Sequence, residues 1–168
     1  MGGVQSANSS KSELERLGRN VVGYHFCQLD NAPTCKMAHM VHSLAAQLAQ
    51  APCLKAYQQL LSINQDLRTK LSLTNCAADP DTALVRAVLL PLAQLSREGK
   101  IEDGNRIILI DALCDTHIHR PDYGGTIITF LSKHLDSFPA WLKLVCTIRT
   151  EKLKLAKSLP LDKIRYYI

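Results

Sequence analysis

One short segment in the second half of the chain limits the folds that it can adopt. Between Arg106 and Asp111 lie four consecutive aliphatic residues, Ile-Ile-Leu-Ile. A run with no polar residue on either face predicts a buried parallel strand with helices packed on both sides. The acid at its carboxyl end would then lie where open α/β sheets bind their ligands. An equally good interpretation is an acid that caps a following helix.

Composition is typical of a folded globular chain. Of the 168 residues, 46% are hydrophobic and 21% charged, which suits one core or part of a larger domain. The net charge is +5, but the basic residues are scattered without interleaved aromatics, so nucleic-acid binding is not expected. The six cysteines lie far apart in mostly apolar surroundings, a pattern typical of reduced thiols in an intracellular protein. No apolar run approaches the roughly 18 residues of a membrane span.

The first twenty residues differ in character from the rest. They are polar and contain glycine and serine clusters, so we expect a flexible lead-in with a brief helix around Leu14 and Leu17. The opening Met-Gly-Gly-Val-Gln-Ser also matches the N-myristoylation pattern, with Ser6 at the preferred position. We expect contact with a membrane only if Gly2 is acylated, and then with marginal affinity.

Residues 21–168 are expected to form one partial domain of alternating strands and helices. The predicted strands are residues 21–26, 106–110, 142–147 and 164–168, and the predicted helices are residues 37–51, 54–61, 80–99, 126–135 and 151–158. Residues 68–78 are expected to be a connection, and Pro91 is expected to kink or divide the long helix. The alternation predicts an α/β fold with a mostly parallel sheet.

Four segments of this pattern resemble the later part of a STAND-type P-loop NTPase domain, the class that includes NACHT modules. They are Val-Val-Gly-Tyr-His-Phe-Cys at 21–27 with Asp-Asn at 30–31, Ile-Ile-Leu-Ile-Asp at 107–111, Pro-Asp-Tyr-Gly at 121–124, and Leu-Lys-Leu-Val-Cys-Thr-Ile-Arg at 142–149. Within that class the chain is most similar to the TANC family of large scaffold proteins, in which this region precedes ankyrin and TPR repeats. The resemblance extends from about Gly18 to the carboxyl terminus.

The resemblance implies roles for four residues. Asp111 would be the Walker B acid that holds Mg²⁺ if a nucleotide binds, and Asp115 the second acid, which polarises the attacking water in active members. Thr147 and Arg149 would form the sensor segment beside the γ-phosphate. Cys114 stands where NACHT proteins usually have a further acid, which argues against hydrolysis. Without the resemblance, Asp115 is equally well explained as a helix-start acid and Arg149 as a solvated charge.

The phosphate-binding loop of this class is missing from the sequence. No G-x-x-x-x-G-K-[ST] segment occurs, and the polar lead-in stands where the family places that loop with its strand and helix. The resemblance therefore implies a partial P-loop NTPase-like three-layer sandwich whose sheet lacks its phosphate-loop strand. Such a sheet is expected to expose an edge and apolar surface. We expect the chain as given to bind no cofactor, and ATP with Mg²⁺ to bind if a phosphate loop exists upstream.

Two other chemistries remain open. One is a metal site, because potential ligands occur in two groups, although neither has the spacing of a common structural zinc site. The groups are His25, Cys27, Cys35, His39 and His42, and His117 and His119 with Asp115 and Asp122. The other is a cysteine hydrolase with Cys27, Cys114 or Cys146 as nucleophile. None of these has a glycine-rich helix start or an evident histidine partner, so buried, inert thiols are the better interpretation.

Together these features predict a non-catalytic interaction or scaffold module derived from a STAND-type domain. The alternative is a fragment of an active ATP-binding or ATP-hydrolysing switch whose phosphate loop lies outside this chain. The TANC resemblance implies a cytoplasmic location and is also compatible with a synaptic or postsynaptic one. It implies scaffold, postsynaptic or cytoskeletal proteins as partners.

Overall fold

The structure is a computed structural model, and it describes residues 15, 17–119 and 124–159. The acylation site at Gly2, the predicted strand at 164–168 and the resembling residues Pro121 and Asp122 lie outside these ranges. Residues 17–20 are helical and lead directly into the first strand. Among the described residues, no helix has both the length and the hydropathy of a membrane span.

Three parallel strands form the sheet of the described residues. They are β1 (Val21–Phe26), β2 (Arg106–Asp111) and β3 (Leu142–Cys146), and they lie in that order, so β2 is central. In this register Tyr24 lies beside Leu109, which lies beside Val145. The predicted α/β class, the parallel sheet and the positions of these three strands are confirmed.

Helices connect the parallel strands, because such strands cannot be joined by a tight hairpin. The connection from β1 to β2 contains α1 to α6, and α7 lies between β2 and β3. The helices are α1 (Met37–Gln50), α2 (Lys55–Ile63), α3 (Gln65–Lys70), α4 (Leu73–Ala78), α5 (Pro80–Leu84), α6 (Leu90–Arg97) and α7 (Ile127–His134). The predicted helix at 151–158 is present as a 3-10 helix, Thr150–Ser158.

One face of the sheet is covered by helices. On this covered face, Ile108 and Leu142 are 2% exposed and Ile110 is fully buried. Gly23 allows the close approach of α1, because a Cβ at this position would lie 3.2 Å from Cδ2 of Leu44. The main core therefore lies between the sheet and the helices.

The opposite face is uncovered by the described residues, and we call it the open face. It carries Tyr24, 51% exposed, Phe26, 48% exposed, and Val145, 44% exposed. Leu109 on the central strand is partly buried, since its neighbours on β1 and β3 flank it. The prediction that helices cover both faces of β2 is therefore wrong for the described residues. The lateral neighbours shield Leu109 in place of a second helical layer.

Of the kink or division predicted at Pro91, the structure shows no division. Residues 80–97 stay helical throughout, and a π-helical segment, Val85–Leu89, lies just before α6. Proline has no N–H to donate to the carbonyl of Ala87 four residues earlier. The Tyr57 hydroxyl on α2 donates to that carbonyl instead, over 2.8 Å in a fully buried environment. The local widening and this side-chain bond together accommodate the proline.

Residues 68–78, predicted to be a connection, are largely helical. They contain the end of α3 and the whole of α4. Each helix has a side-chain cap, since Asn64 accepts from the Leu67 N–H and Ser72 accepts from the Asn75 N–H. Helices of six residues have too few apolar positions for a clear periodicity, so these caps were the available signal.

Candidate functional site at the carboxyl ends of the strands

Backbone hydrogen bonds hold the carboxyl ends of the three strands together. The N–H of Cys27, after β1, donates to the Asp111 carbonyl at 3.1 Å, and the N–H of Thr147, after β3, donates to the Ile110 carbonyl at 3.0 Å. The Leu113 N–H donates to the Thr147 carbonyl at 3.0 Å, so pairing continues beyond the strands. These contacts fix the residues at the edge of the sheet where open α/β folds bind ligands.

Thr147 holds the turn that follows β2. Its hydroxyl donates to Oδ1 of Asp111 and accepts from the Ala112 N–H at 2.9 Å. Ala112 has φ 53° and ψ 40°, a left-handed conformation that is unfavourable for a residue with a Cβ. The Thr147 hydroxyl therefore stabilises a strained turn and orients the Asp111 carboxylate.

Asp115 and Arg149 form an ion pair beside this turn. Asp115 is only 6% exposed, and its Oδ1 lies 2.7 Å from Nη2 of Arg149, whose side chain is 50% exposed. The Cys114 thiol lies 3.6 Å from the same carboxylate oxygen. An unpaired buried carboxylate is costly, so the arginine stabilises the folded chain whatever further role the pair has.

The four residues singled out by the resemblance thus form two hydrogen-bonded pairs. Asp111 keeps its Oδ2 without a partner among the described residues, and this oxygen is available to a cation. The Asp115 carboxylate already compensates the charge of Arg149. Neither pair supplies main-chain N–H groups or a lysine for phosphates, and the sequence contains no glycine-rich loop that would do so. The arrangement can orient side chains and neutralise charge.

Three of the five histidines considered as metal ligands bond to main-chain carbonyls. Ring nitrogens of His25, His42 and His119 lie 2.6, 2.7 and 2.8 Å from the carbonyl oxygens of Thr34, Leu71 and Leu29 respectively. Burial lowers the pKa of His25; the Thr34 carbonyl opposes this effect and nearby His39 adds to it. Across the described ranges, no three histidine, cysteine or acidic side chains are arranged to hold a metal ion.

The cysteines are unpaired thiols, and three of them have pKa values that make them poor nucleophiles. Burial is the main cause that raises the pKa of Cys27 and of Cys146 to about 12 each, and that of Cys76 to about 11. All six cysteines are free. Because the thiolate is the reactive form, thiols with such pKa values are protonated and inert at neutral pH.

The open face was not predicted from the sequence. Its signal was present in the strands, since Tyr24 and Phe26 are two positions apart on β1 and their rings are 5.3 Å apart in the fold. On β3, Lys143 and Val145 have the same spacing, and both are exposed. Two large aromatics at alternate positions of β1 and a lysine on the same face of β3 indicate that this face has no helical cover.

No protein-family model matches this chain, and no solved structure matches it. The likeness to STAND-type NTPases and to the TANC family therefore rests on the four segments quoted above, and it stays a prediction.

Proposed function

We propose that this chain is a non-catalytic protein-interaction module, a partial STAND-type α/β domain of a TANC-like scaffold. The observation that carries the proposal is the open face, where Tyr24 and Phe26 on β1 are 51% and 48% exposed and Val145 on β3, across the partly buried Leu109, is 44% exposed. Large apolar side chains exposed on one face of a sheet are typical of interaction sites in folded proteins.

The candidate site supports the same proposal. Asp111 is bonded to Thr147, and Asp115 to Arg149, so both acids serve contacts inside the fold. The phosphate-cradling loop is absent from the sequence. A binding role for the sheet surface needs neither hydrolysis nor a bound nucleotide.

The test compares two variants, in each of which an exposed aliphatic residue is replaced by glutamate. Val145→Glu alters the open face. Ile63→Glu is the control, because Ile63 is an apolar residue of α2 that is 83% exposed and lies outside the open face. Proteins cross-linked to the wild-type chain in cells should be retained by Ile63→Glu and lost with Val145→Glu. If no cross-linked protein depends on Val145, the open face is not a binding surface and the proposal fails.

A second candidate function is an ATP-dependent switch whose phosphate loop lies outside this chain. The observation in its favour is that Asp111, Asp115, Thr147 and Arg149 come together at the carboxyl ends of the strands, as the resemblance implies. In that case Asp111 would contribute its free oxygen to Mg²⁺.

Calorimetric titration separates the two functions. We expect Mg·ATP to give no binding heat with this chain. In the longest natural polypeptide that contains the sequence, ATP turnover that Asp111→Ala abolishes would favour the switch, whereas turnover that survives the substitution would remove Asp111 from the site.

A further inference from the structure

A side chain takes the place of a neighbouring strand at the outer edge of β1. Gln47 on α1 accepts from the Tyr24 N–H through Oε1 at 2.9 Å, and its Nε2 donates to the Tyr24 carbonyl, also at 2.9 Å. The same Nε2 lies 3.1 Å from the Ser43 hydroxyl, which helps to hold the amide in position. An amide that bonds both main-chain groups of one residue reproduces the pairing that an adjacent strand would make.

The next residue along this edge has no such substitute. Tyr24 and Phe26 direct their main-chain groups away from β2, because alternate residues of a strand share a side and Cys27 bonds inward to Asp111. No contact from the described residues satisfies the outward N–H and C=O of Phe26. At Gln28 the loop closes the edge, since the Thr34 hydroxyl accepts from its N–H at 2.9 Å. The accessible edge therefore comprises Tyr24 and Phe26.

The surroundings of this edge suit an extended peptide. A shallow groove of about 450 Å³ runs between β1 and α1, and its lining includes Tyr24, Phe26, His39, Ser43 and Gln47. β1 contains no charged residue, whereas the other edge strand, β3, carries an exposed lysine. Charges on edge strands oppose pairing with other chains, so β1 is the less protected of the two edges.

We propose that an extended segment of a partner protein adds to the sheet beside β1 and displaces the amide of Gln47. The segment gains up to four main-chain hydrogen bonds, to the N–H and C=O groups of Tyr24 and Phe26. Its residues opposite these two contact their rings and are apolar or aromatic, while the residues between them face the groove and are polar. This inference names the partner class for the proposed interaction function and rests on it.

The test begins with a phage-displayed library of random dodecapeptides selected on the full 168-residue chain. Synthetic copies of the selected peptides are then titrated by fluorescence anisotropy. We expect alternating apolar and polar sequences, which bind Gln47→Ala about tenfold more tightly because no side-chain bonds must be broken first. Phe26→Lys should weaken binding at least about tenfold, since it places a charge on the edge strand. Val145→Lys, on the opposite edge strand, should weaken binding less than Phe26→Lys does, and Ile63→Lys, the control at an 83% exposed position of α2, should leave the affinity unchanged.

Each other result overturns the inference. An unchanged or lower affinity of Gln47→Ala would mean that the peptides do not displace the Gln47 amide. The expected gain in affinity cannot result from misfolding of the variant. Equal losses with Phe26→Lys and Val145→Lys would place the peptides across the open face, which removes the edge site but leaves the proposed function standing. Dimerisation of Gln47→Ala in the analytical ultracentrifuge would make a second copy the occupant. Failure to select any peptide also removes the edge site, while the cross-linking comparison tests the proposed function separately.

Discussion

The covered and open faces of the same sheet carry residues of similar chemistry in very different surroundings. Ile110 on β2 is fully buried beneath the helices, whereas Val145 on β3 is 44% exposed on the other face. Burial of a side chain of this size contributes about 2 kcal/mol, so stability comes mainly from the covered face. The open face contributes less to folding and is therefore available for recognition.

The largest effect is expected when one side chain on each face is shortened to alanine. We expect Ile110→Ala to lower the free energy of unfolding by about 3 kcal/mol, because it leaves a cavity under the helices. Val145→Ala should lower it by less than about 1 kcal/mol. Urea denaturation measures both. Equal losses would mean that the two faces are equally covered, contrary to the structure.

A second test concerns the buried charge at the carboxyl ends of the strands. Arg149→Met leaves the Asp115 carboxylate, 6% exposed, without its partner, so we expect a loss of about 2 kcal/mol in the free energy of unfolding. Lys143→Met on the open face is the control and should change stability by less than about 0.5 kcal/mol. Adding Asp115→Asn to Arg149→Met should recover part of the loss; a purely additive double variant would show that the pair does not interact.

Local patterns in the sequence are sufficient to predict much of this fold. β1 has the predicted bounds, and α1 (Met37–Gln50) ends one residue before its predicted end. These elements have strong periodicity or β-branched composition. The open face was not predictable from β2 alone, because the apolar run at 107–110 looks the same whether a helix or only neighbouring strands shield it; the available signal was the alternation in β1 and β3.

The contacts within the candidate site were not predictable from the sequence. The resemblance singled out Asp115 and Arg149, yet their ion pair joins residues 34 apart in the sequence. The bonds from Gln47 to Tyr24 span 23 residues and carry no sequence pattern. Such contacts depend on how α1 lies against β1, and composition and spacing do not specify that arrangement.

A smaller effect is expected from the pH dependence of His25 on the covered face. Burial lowers its pKa from 6.5, so the unfolded chain takes up a proton before the folded chain does as the pH falls. The free energy of unfolding should therefore decrease as the pH falls below about 6.5. His25→Gln removes this titration but keeps a donor for the Thr34 carbonyl. Chemical denaturation across this range should show a weaker pH dependence for the variant; an identical slope would contradict the assignment.

The smallest effect is expected at the strained turn between the two acids. Ala112→Gly relieves the left-handed conformation, with φ 53°, and should raise the free energy of unfolding by about 0.5 to 1 kcal/mol. Gly99→Ala is the opposite change at a glycine with φ 68° and should destabilise by about 1 kcal/mol. Thermal unfolding of both variants checks the signs. A loss of stability in Ala112→Gly would mean that the turn is not strained.

The accessibility of methyl groups on the two faces tests most directly whether the open face is exposed. A soluble gadolinium chelate increases the relaxation of methyl protons that solvent can approach, and NMR of the methyl-labelled chain measures this for each residue. We expect strong relaxation of the Val145 methyls, an intermediate effect at Leu109 and almost none at Ile108 and Ile110. Protection of Val145 equal to that of Ile110 would show that something covers both faces, and it would contradict the open interaction surface.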